Sequence, residues 1–173
     1  LKVTSMMMPM TIGEVAEAVA GRLVEGANGV PEGAVALHAV SDSRQVEDGS
    51  IFVAIQGERV DGHDYVASVA DQGAVAAIVD HEVPGAAVPQ IVVDNTVTAL
   101  GDLAKANIAR RRASGEPFTI IGITGSVGKT TTKDLTKALL STLGPTVAPV
   151  GSFNNEIGLP LTALTVGEHT RYF

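Results

Sequence analysis

The chain has 173 residues, of which 45% are hydrophobic and 18% charged, so a globular protein of one medium or two small domains is expected and disorder throughout is excluded. The formal net charge is −7. A broad nucleic-acid surface is excluded by that balance, because it needs clustered Lys and Arg.

The first ten residues, LKVTSMMMPM, lack the apolar stretch of a signal peptide and read as a frayed leader. Thr11 to Glu14 then form a capping box, which predicts a helix ending at Gly21. Val35–Val40 and Ile51–Ile55 are short β-branched runs between turn signals, hence strands. His63–Gln72 reads as a short helix stopped by Gly73, and Ala76–Val79 and Ile91–Val93 as further strands. Asn95 caps a long helix to about Ala113, with Val97, Leu100, Leu103, Ala104 and Ile108 on one face. The basic run Arg110–Arg112 near its end complements the helix dipole.

After the break at Ser114–Pro117, Phe118–Ile123 is an uninterrupted apolar run, the pattern of a central strand in a parallel sheet. A glycine loop follows, then a helix from about Lys129 to Thr142, a stop at Gly144-Pro145 and a strand at Val147–Val150. Strands alternating with helices define an α/β fold. The predicted organisation is a first α/β unit over residues 1–94 and an unfinished second one over 95–173.

No apolar run is long enough to cross a bilayer, so no membrane partner is expected. With no cysteine, disulfides and thiolate metal sites are excluded and a cytoplasmic location fits. His38, His81 and His169 have no metal-ligand spacing and read as structural or surface residues.

The loop reads GITGSVGKTTTK, Gly122 to Lys133. The usual phosphate-binding pattern G-x-x-x-x-G-K-[ST] would need its first glycine at position 123, which is Ile. The physical ingredients are nevertheless present. An apolar strand enters a turn containing Gly125 and Gly128, and a helix begins at Lys129 with its free N–H groups facing the turn. Lys129 can neutralise the β- and γ-phosphates of a nucleotide, and Thr130 offers a hydroxyl to Mg²⁺. No N-K-x-D base-recognition motif is present, so ATP is favoured over GTP.

This form of the loop, with its displaced first glycine, resembles that of the Mur ligases, the ATP-dependent amide-forming enzymes of peptidoglycan assembly. NNEIGLPLT, Asn154 to Thr162, is similar to the signature of the branch that adds D-alanyl-D-alanine. SDSRQVEDGSIFVAIQGERVDGHDYV, Ser41 to Val66, resembles the UDP-sugar-binding domain of that family. The three motifs span almost the whole chain from Thr11 to Phe173.

The resemblance implies a small UDP-substrate domain followed by the opening of a P-loop-type, parallel-sheet ATPase domain. Gly125, Ser126, Val127, Gly128, Lys129, Thr130 and Thr131 would hold ATP, with Lys129 catalytic and Thr130 on Mg²⁺. Ser41, Ser43, Arg44 and His63 would lie near the uridine diphosphate end of UDP-N-acetylmuramoyl-tripeptide, and Asn154 and Asn155 near its muramoyl-peptide portion. The residues alone leave simpler roles open: Asp42 and Arg44 can pair across a turn, His63 can cap a helix, and Asn154-Asn155 can form a polar turn.

The implied reaction activates the substrate carboxylate as an acyl phosphate, which the amine of D-alanyl-D-alanine then attacks. The family carries a Mg²⁺-binding Glu, a carbamylated Lys and the domain that presents D-alanyl-D-alanine further along. The expectation is therefore an N-terminal fragment, monomeric and inactive alone. Competing readings are the related ligase that adds the third stem residue, a folylpolyglutamate synthase-like protein, and a stand-alone UDP-sugar-binding module.

Overall fold

The computed structural model describes residues 6–30, 33–153 and 155–173. Thr11 starts helix α1 (Ile12–Ala18) through the expected capping box: its hydroxyl accepts from the Glu14 N–H at 3.2 Å, and the Glu14 carboxylate accepts from the Thr11 N–H at 2.8 Å. Just before it, β1 (Met10–Thr11) pairs antiparallel with β3 (Val35–Ala36). Met7 and Met10 are buried in the core, and the Met7 N–H donates to the Leu37 carbonyl at 2.9 Å. The described part of the expected leader is thus packed rather than frayed, because its methionines cover one side of α1.

The main sheet has five strands in the order β2 (Arg22–Val24), β7 (Gln90–Val92), β6 (Ala74–Val79), β5 (Ser50–Val53), β4 (His38–Val40). Its strands are parallel except β2, which is an antiparallel edge. The single strand expected over Val35–Val40 is divided at Leu37. The Leu37 N–H donates to Gly49 and its carbonyl accepts from Met7, so the halves on either side belong to different sheets. His63–Gln72 forms two 3-10 turns, Gly62–Tyr65 and Val69–Gln72, rather than one helix, and Gly73 stops the second with φ +100°.

Alternate residues of the central strands face opposite sides, as a pleat requires. Ile51, Val53, Ala76, Ile78 and Ile91 pack toward α1 and α2 (Thr96–Ala113), whereas Phe52, Ala54, Ala77 and Val79 pack on Val66, Val69, Ala86 and Val88. Asn95 caps α2 as expected, its side chain accepting from the Thr98 N–H at 2.8 Å. The buried stripe of α2 begins with Thr96, Ala99, Leu100, Leu103 and Ala104, but it continues through Asn107 and Arg111.

Those two polar residues join α2 to the rest of the chain. Asn107 donates to the carbonyls of Ala163 and Val166, both at 2.9 Å, and accepts from the Met8 N–H. Arg111 is 2% exposed and donates to Ser114, Glu116, Pro117 and Thr170. The basic run is therefore more than a complement to the helix dipole: Arg111 is a buried tie, and Arg110 donates to Pro9 and pairs with Glu14.

Beyond α2 the chain is less regular. Phe118–Ile123 does not form the expected central strand. Among the described residues it pairs on one side, with Arg171–Phe173, through the bonds Thr119 N–H to Arg171, Ile121 N–H to Phe173 and Phe173 N–H to Thr119. Ile120 and Ile121 are each 39% exposed, consistent with that one-sided pairing. Val147–Val150 likewise has one ladder bond, from the Val147 N–H to the Tyr172 carbonyl, and forms no regular strand. Helix α3 (Lys129–Leu140) follows the glycine loop, and the short α4 (Gly158–Ala163) packs on α2.

Candidate nucleotide and substrate site

The glycine loop turns as the sequence requires. Gly125 has φ +147° and Gly128 φ +81°, both in the region that disfavours a Cβ. Gly128 occupies the cap position of α3, and its carbonyl accepts from the Thr132 N–H at 2.9 Å. No side chain caps this helix, so the first N–H groups of α3 are open toward the loop. A helix N-terminus of this kind attracts phosphate.

Lys129 bends back over the loop, and its Nζ donates to the Gly125 carbonyl at 2.5 Å. Ser126, Val127, Thr130 and Thr131 are exposed around it, and Val127 is 89% exposed. A cleft of about 390 Å³ lies alongside, bordered by Ile121, Gly122, Lys129, Thr130, Lys133 and Phe153 among others. One cation, hydroxyls at the start of the helix and open N–H groups give this end of α3 the donor set for a polyphosphate and its metal ion. Thr130 is the hydroxyl that would reach a Mg²⁺, a hard cation that prefers oxygen ligands.

A second cleft, of about 470 Å³, opens between the β4 edge of the main sheet and α4. His38, Val40, Gln45 and Glu47 border it on the sheet side, and Val150, Phe153, Thr162 and Thr165 on the other. Ser41 and Ser43 are half-buried on the segment leaving β4, and Ser43 opens a 3-10 turn, Ser43–Gln45. Asp42 caps that turn and binds Arg44 through two oxygens, with Nε to Oδ1 at 2.9 Å and Nη2 to Oδ2 at 2.6 Å. This pairing holds the Asp42 carboxyl down at about 2, through its hydrogen bonds from the Arg44 side chain and backbone N–H. Arg44 remains 86% exposed, so the pair does not remove its guanidinium from solvent.

His63 is placed differently. It is 5% exposed, its Nδ1 lies 2.6 Å from Asp61, and its Nε2 accepts from the Asp80 N–H at 3.2 Å. The hydrogen bonds from the His63 side chain and N–H also hold Asp61 below the ordinary carboxylate range, the backbone bond being the larger cause. Both ring nitrogens are therefore engaged within the fold, and His63 fastens the Asp61–Gly62 turn to the end of β6. His81 stacks on this ring at 4.4 Å, and His63, Asp80 and His81 bring ligand atoms within 4.8 Å of one another. The sequence spacing gave no sign of this cluster. Stacked rings send their in-plane lone pairs side by side rather than toward a common point, and the group is a hydrogen-bonded latch.

Asn155 caps α4, its Oδ1 accepting from the Gly158 N–H at 2.7 Å. Asn154 lies outside the described residues. Lys133 and Phe153 are among the cleft-lining residues to which the sequence assigned no site role. The signal for Lys133 was its spacing of one helical turn from Lys129, which puts both cations on one face of α3.

A parallel α/β core followed by a glycine turn, an invading lysine and a helix N-terminus defines a phosphate-loop protein. Comparison with known families narrows that class. Residues 38–107 match the model of the Mur ligase family, catalytic domain, and residues 123–173 match that of the Mur ligase middle domain. The chain belongs to the Mur ligase family.

Among curated proteins, the UDP-N-acetylmuramoyl-tripeptide–D-alanyl-D-alanine ligase of Bacillus subtilis is 40% identical, over 95% of this chain and 35% of its own length. The ligase of the same name from Mycobacterium tuberculosis is 38% identical, over 96% of this chain and 36% of its own length. A crystal structure of MurF from Acinetobacter baumannii superposes with a TM-score of 0.79 at 35% identity, covering 96% of this chain and 35% of that one. MurF ligase from Thermotoga maritima in complex with ADP gives a TM-score of 0.61 at 34% identity, covering 78% of this chain and 31% of that one. The chain thus spans about a third of the length of the curated relatives it matches.

Proposed function

We propose that this chain is the substrate-binding and phosphate-binding part of an ATP-dependent, ADP-forming ligase of peptidoglycan synthesis. The ligase joins D-alanyl-D-alanine to UDP-N-acetylmuramoyl-tripeptide. The observation that carries this reading is the loop Gly125–Thr131, with Lys129 folded over it at the open N-terminus of α3. The names and structures of the relatives point the same way.

In this reading residues 1–94 hold the uridine diphosphate end of the substrate and residues 95–173 hold ATP. Gly125, Ser126, Val127 and Gly128 cradle the phosphates with backbone N–H groups, and Thr130 and Thr131 add hydroxyls. Lys129 leaves the Gly125 carbonyl and neutralises charge on the phosphoryl group that is transferred. Thr130 would offer its hydroxyl to a Mg²⁺ ion, which would supply further neutralisation. The chemistry needs this because a free carboxylate is a poor acyl donor: its leaving group would be oxide. Phosphorylation creates an acyl phosphate, and the incoming amine then expels phosphate.

Ser41, Ser43 and Arg44 stand beside the second cleft as the contacts for the uridine diphosphate, with Arg44 the exposed cation suited to a diphosphate. In this reading Asn154 and Asn155 contribute to the muramoyl-peptide site, and His63 supports the turn bordering the uracil rather than touching it. The protein works as a monomer in the cytoplasm, where ATP is available. Among the described residues no helix is long and apolar enough to cross a membrane.

Calorimetric titration with Mg-ATP and, separately, with UDP-N-acetylmuramoyl-tripeptide tests the reading. Saturable binding of both ligands is expected. A folded chain that binds neither would sink it.

A further inference from the structure

The segment 148–153 is a wall shared by the two clefts. Ala148 and Val150 border the cleft beside β4, Pro149, Gly151 and Ser152 border the cleft beside the glycine loop, and Phe153 borders both. The chain bends at Val150 and turns at Gly151, which has φ +56°, so successive residues meet different clefts. The same segment precedes Asn155, which caps α4.

One side chain grips this wall from the nucleotide side. Lys133 Nζ donates to the Pro149 carbonyl at 2.6 Å and the Gly151 carbonyl at 2.7 Å, and it lies 3.0 Å from the Asp134 carboxylate. An ammonium has three N–H donors. Two of those on Lys133 are given to these backbone carbonyls, the Asp134 carboxylate adds an ion pair, and its side chain is only 16% exposed. Lys129, one turn earlier on the same helix, touches a carbonyl of its own loop and is free to exchange it for a ligand. The two lysines are therefore built for different work: Lys129 for meeting a phosphate, Lys133 for holding a backbone.

We infer that Lys133 is a positioning residue that couples the two clefts: it fixes the shared wall 148–153 to the helix that receives the nucleotide phosphates. The inference rests on the functional reading above. Phosphate arriving at the N-terminus of α3 fixes that helix, the helix fixes Lys133, and Lys133 fixes the carbonyls on either side of Val150. The UDP-linked substrate in the second cleft then meets a wall already in place. Linkage makes the effect reciprocal, so either ligand raises the affinity for the other by the same factor.

The test measures that factor. UDP-N-acetylmuramoyl-tripeptide is titrated into the 173-residue chain with and without saturating Mg-ADP, for the wild type, Lys133→Met and Lys133→Arg. The wild type is expected to show coupling on the order of tenfold. Lys133→Met, which keeps the stem and loses the donors, is expected to bring the factor to about one. Lys133→Arg, which keeps charged donors within reach of the two carbonyls, is expected to retain most of it. A merely structural lysine would lower both affinities and leave their ratio intact.

Coupling that persists in Lys133→Met overturns the inference, as does a wild type whose two ligands bind independently. If Lys133→Met does not fold, Lys133→Arg decides: coupling lost while both ligands still bind overturns it, and coupling kept supports it. A wild type that binds neither ligand removes the functional reading and this inference with it.

Discussion

Arg111 and Thr170 are joined twice: the Nε and Nη2 of the arginine donate to the same Thr170 carbonyl, at 3.1 and 2.8 Å. The guanidinium is buried, and its remaining donors reach Ser114, Glu116 and Pro117. Its plane also lies over the Phe118 ring, 5.0 Å from the centroid. Replacing Arg111 with Leu strands several carbonyls at once, and a buried unpaired acceptor costs about 1–3 kcal/mol. Loss of about 3 kcal/mol in urea unfolding is expected for Arg111→Leu. A change within experimental error would show that those carbonyls find water instead.

Gly73 is predicted to be irreplaceable by alanine. Its φ is +100°, and an added Cβ would lie 2.3 Å from Asp48 Oδ1 and 2.8 Å from the Asp48 backbone. The left-handed conformation alone costs a side-chain-bearing residue about 1–2 kcal/mol. Gly73→Ala should lose at least about 2 kcal/mol, read from the shift in denaturation midpoint. Gly29→Ala is the control, because its Cβ meets nothing within 4 Å and only the conformational cost remains.

Acid should weaken the attachment of α1. Glu14 titrates below its ordinary value, first because its carboxylate accepts from the Thr11 N–H and then because Arg110 binds it. A depressed carboxylate contributes stability that is fully present above its unfolded value and is lost as pH falls through the folded one. Glu14 is 43% exposed, so the contribution is modest. Denaturation midpoints measured from neutral pH down through the carboxylate range should fall less steeply for Glu14→Gln than for the wild type. Parallel curves would assign the acid sensitivity to other carboxylates.

Lys129→Met should separate ligand binding from folding. The side chain makes one hydrogen bond, to its own loop, so the thermal midpoint should stay close to the wild type. Affinity for Mg-ADP should fall by about tenfold or more, since a charge-assisted bond to phosphate is lost. Unchanged affinity would mean that the loop backbone and helix N-terminus suffice.

The features legible in the sequence were those set by neighbours in the chain. The capping box at Thr11, the cap at Asn95, the stop at Gly73 and the turn from Gly125 into α3 depend on a few adjacent residues. Features set by distant partners were not legible. Val35–Val40 looks like one strand, yet Gly49 and Met7 claim Leu37 and divide it. Phe118–Ile123 has the composition of a central strand, but composition does not say how many neighbours it has. Asn107 and Arg111 fall on the buried stripe of α2 by period, but an apolar pattern does not mark polar residues as buried, and Arg111 reads from sequence only as a dipole complement. Within the site, the loop could be read from its glycines and lysine. Engagement of both His63 nitrogens could not, because one partner, Asp80, is on another strand end.

Tyr172 lies between Thr119 and Thr146, bridged in parallel to each. The segments that enter and follow the phosphate loop are therefore held together by residues made after both. As the chain emerges from the ribosome, the glycine loop and α3 are complete well before Arg171–Phe173 can slide between their flanks. Until then the two flanks have no common backbone partner, and their apolar residues, Ile120, Ile121 and Val147, wait in water. Pairing of Arg171–Phe173 with both flanks is a non-local contact, so it is expected to follow the winding of α3.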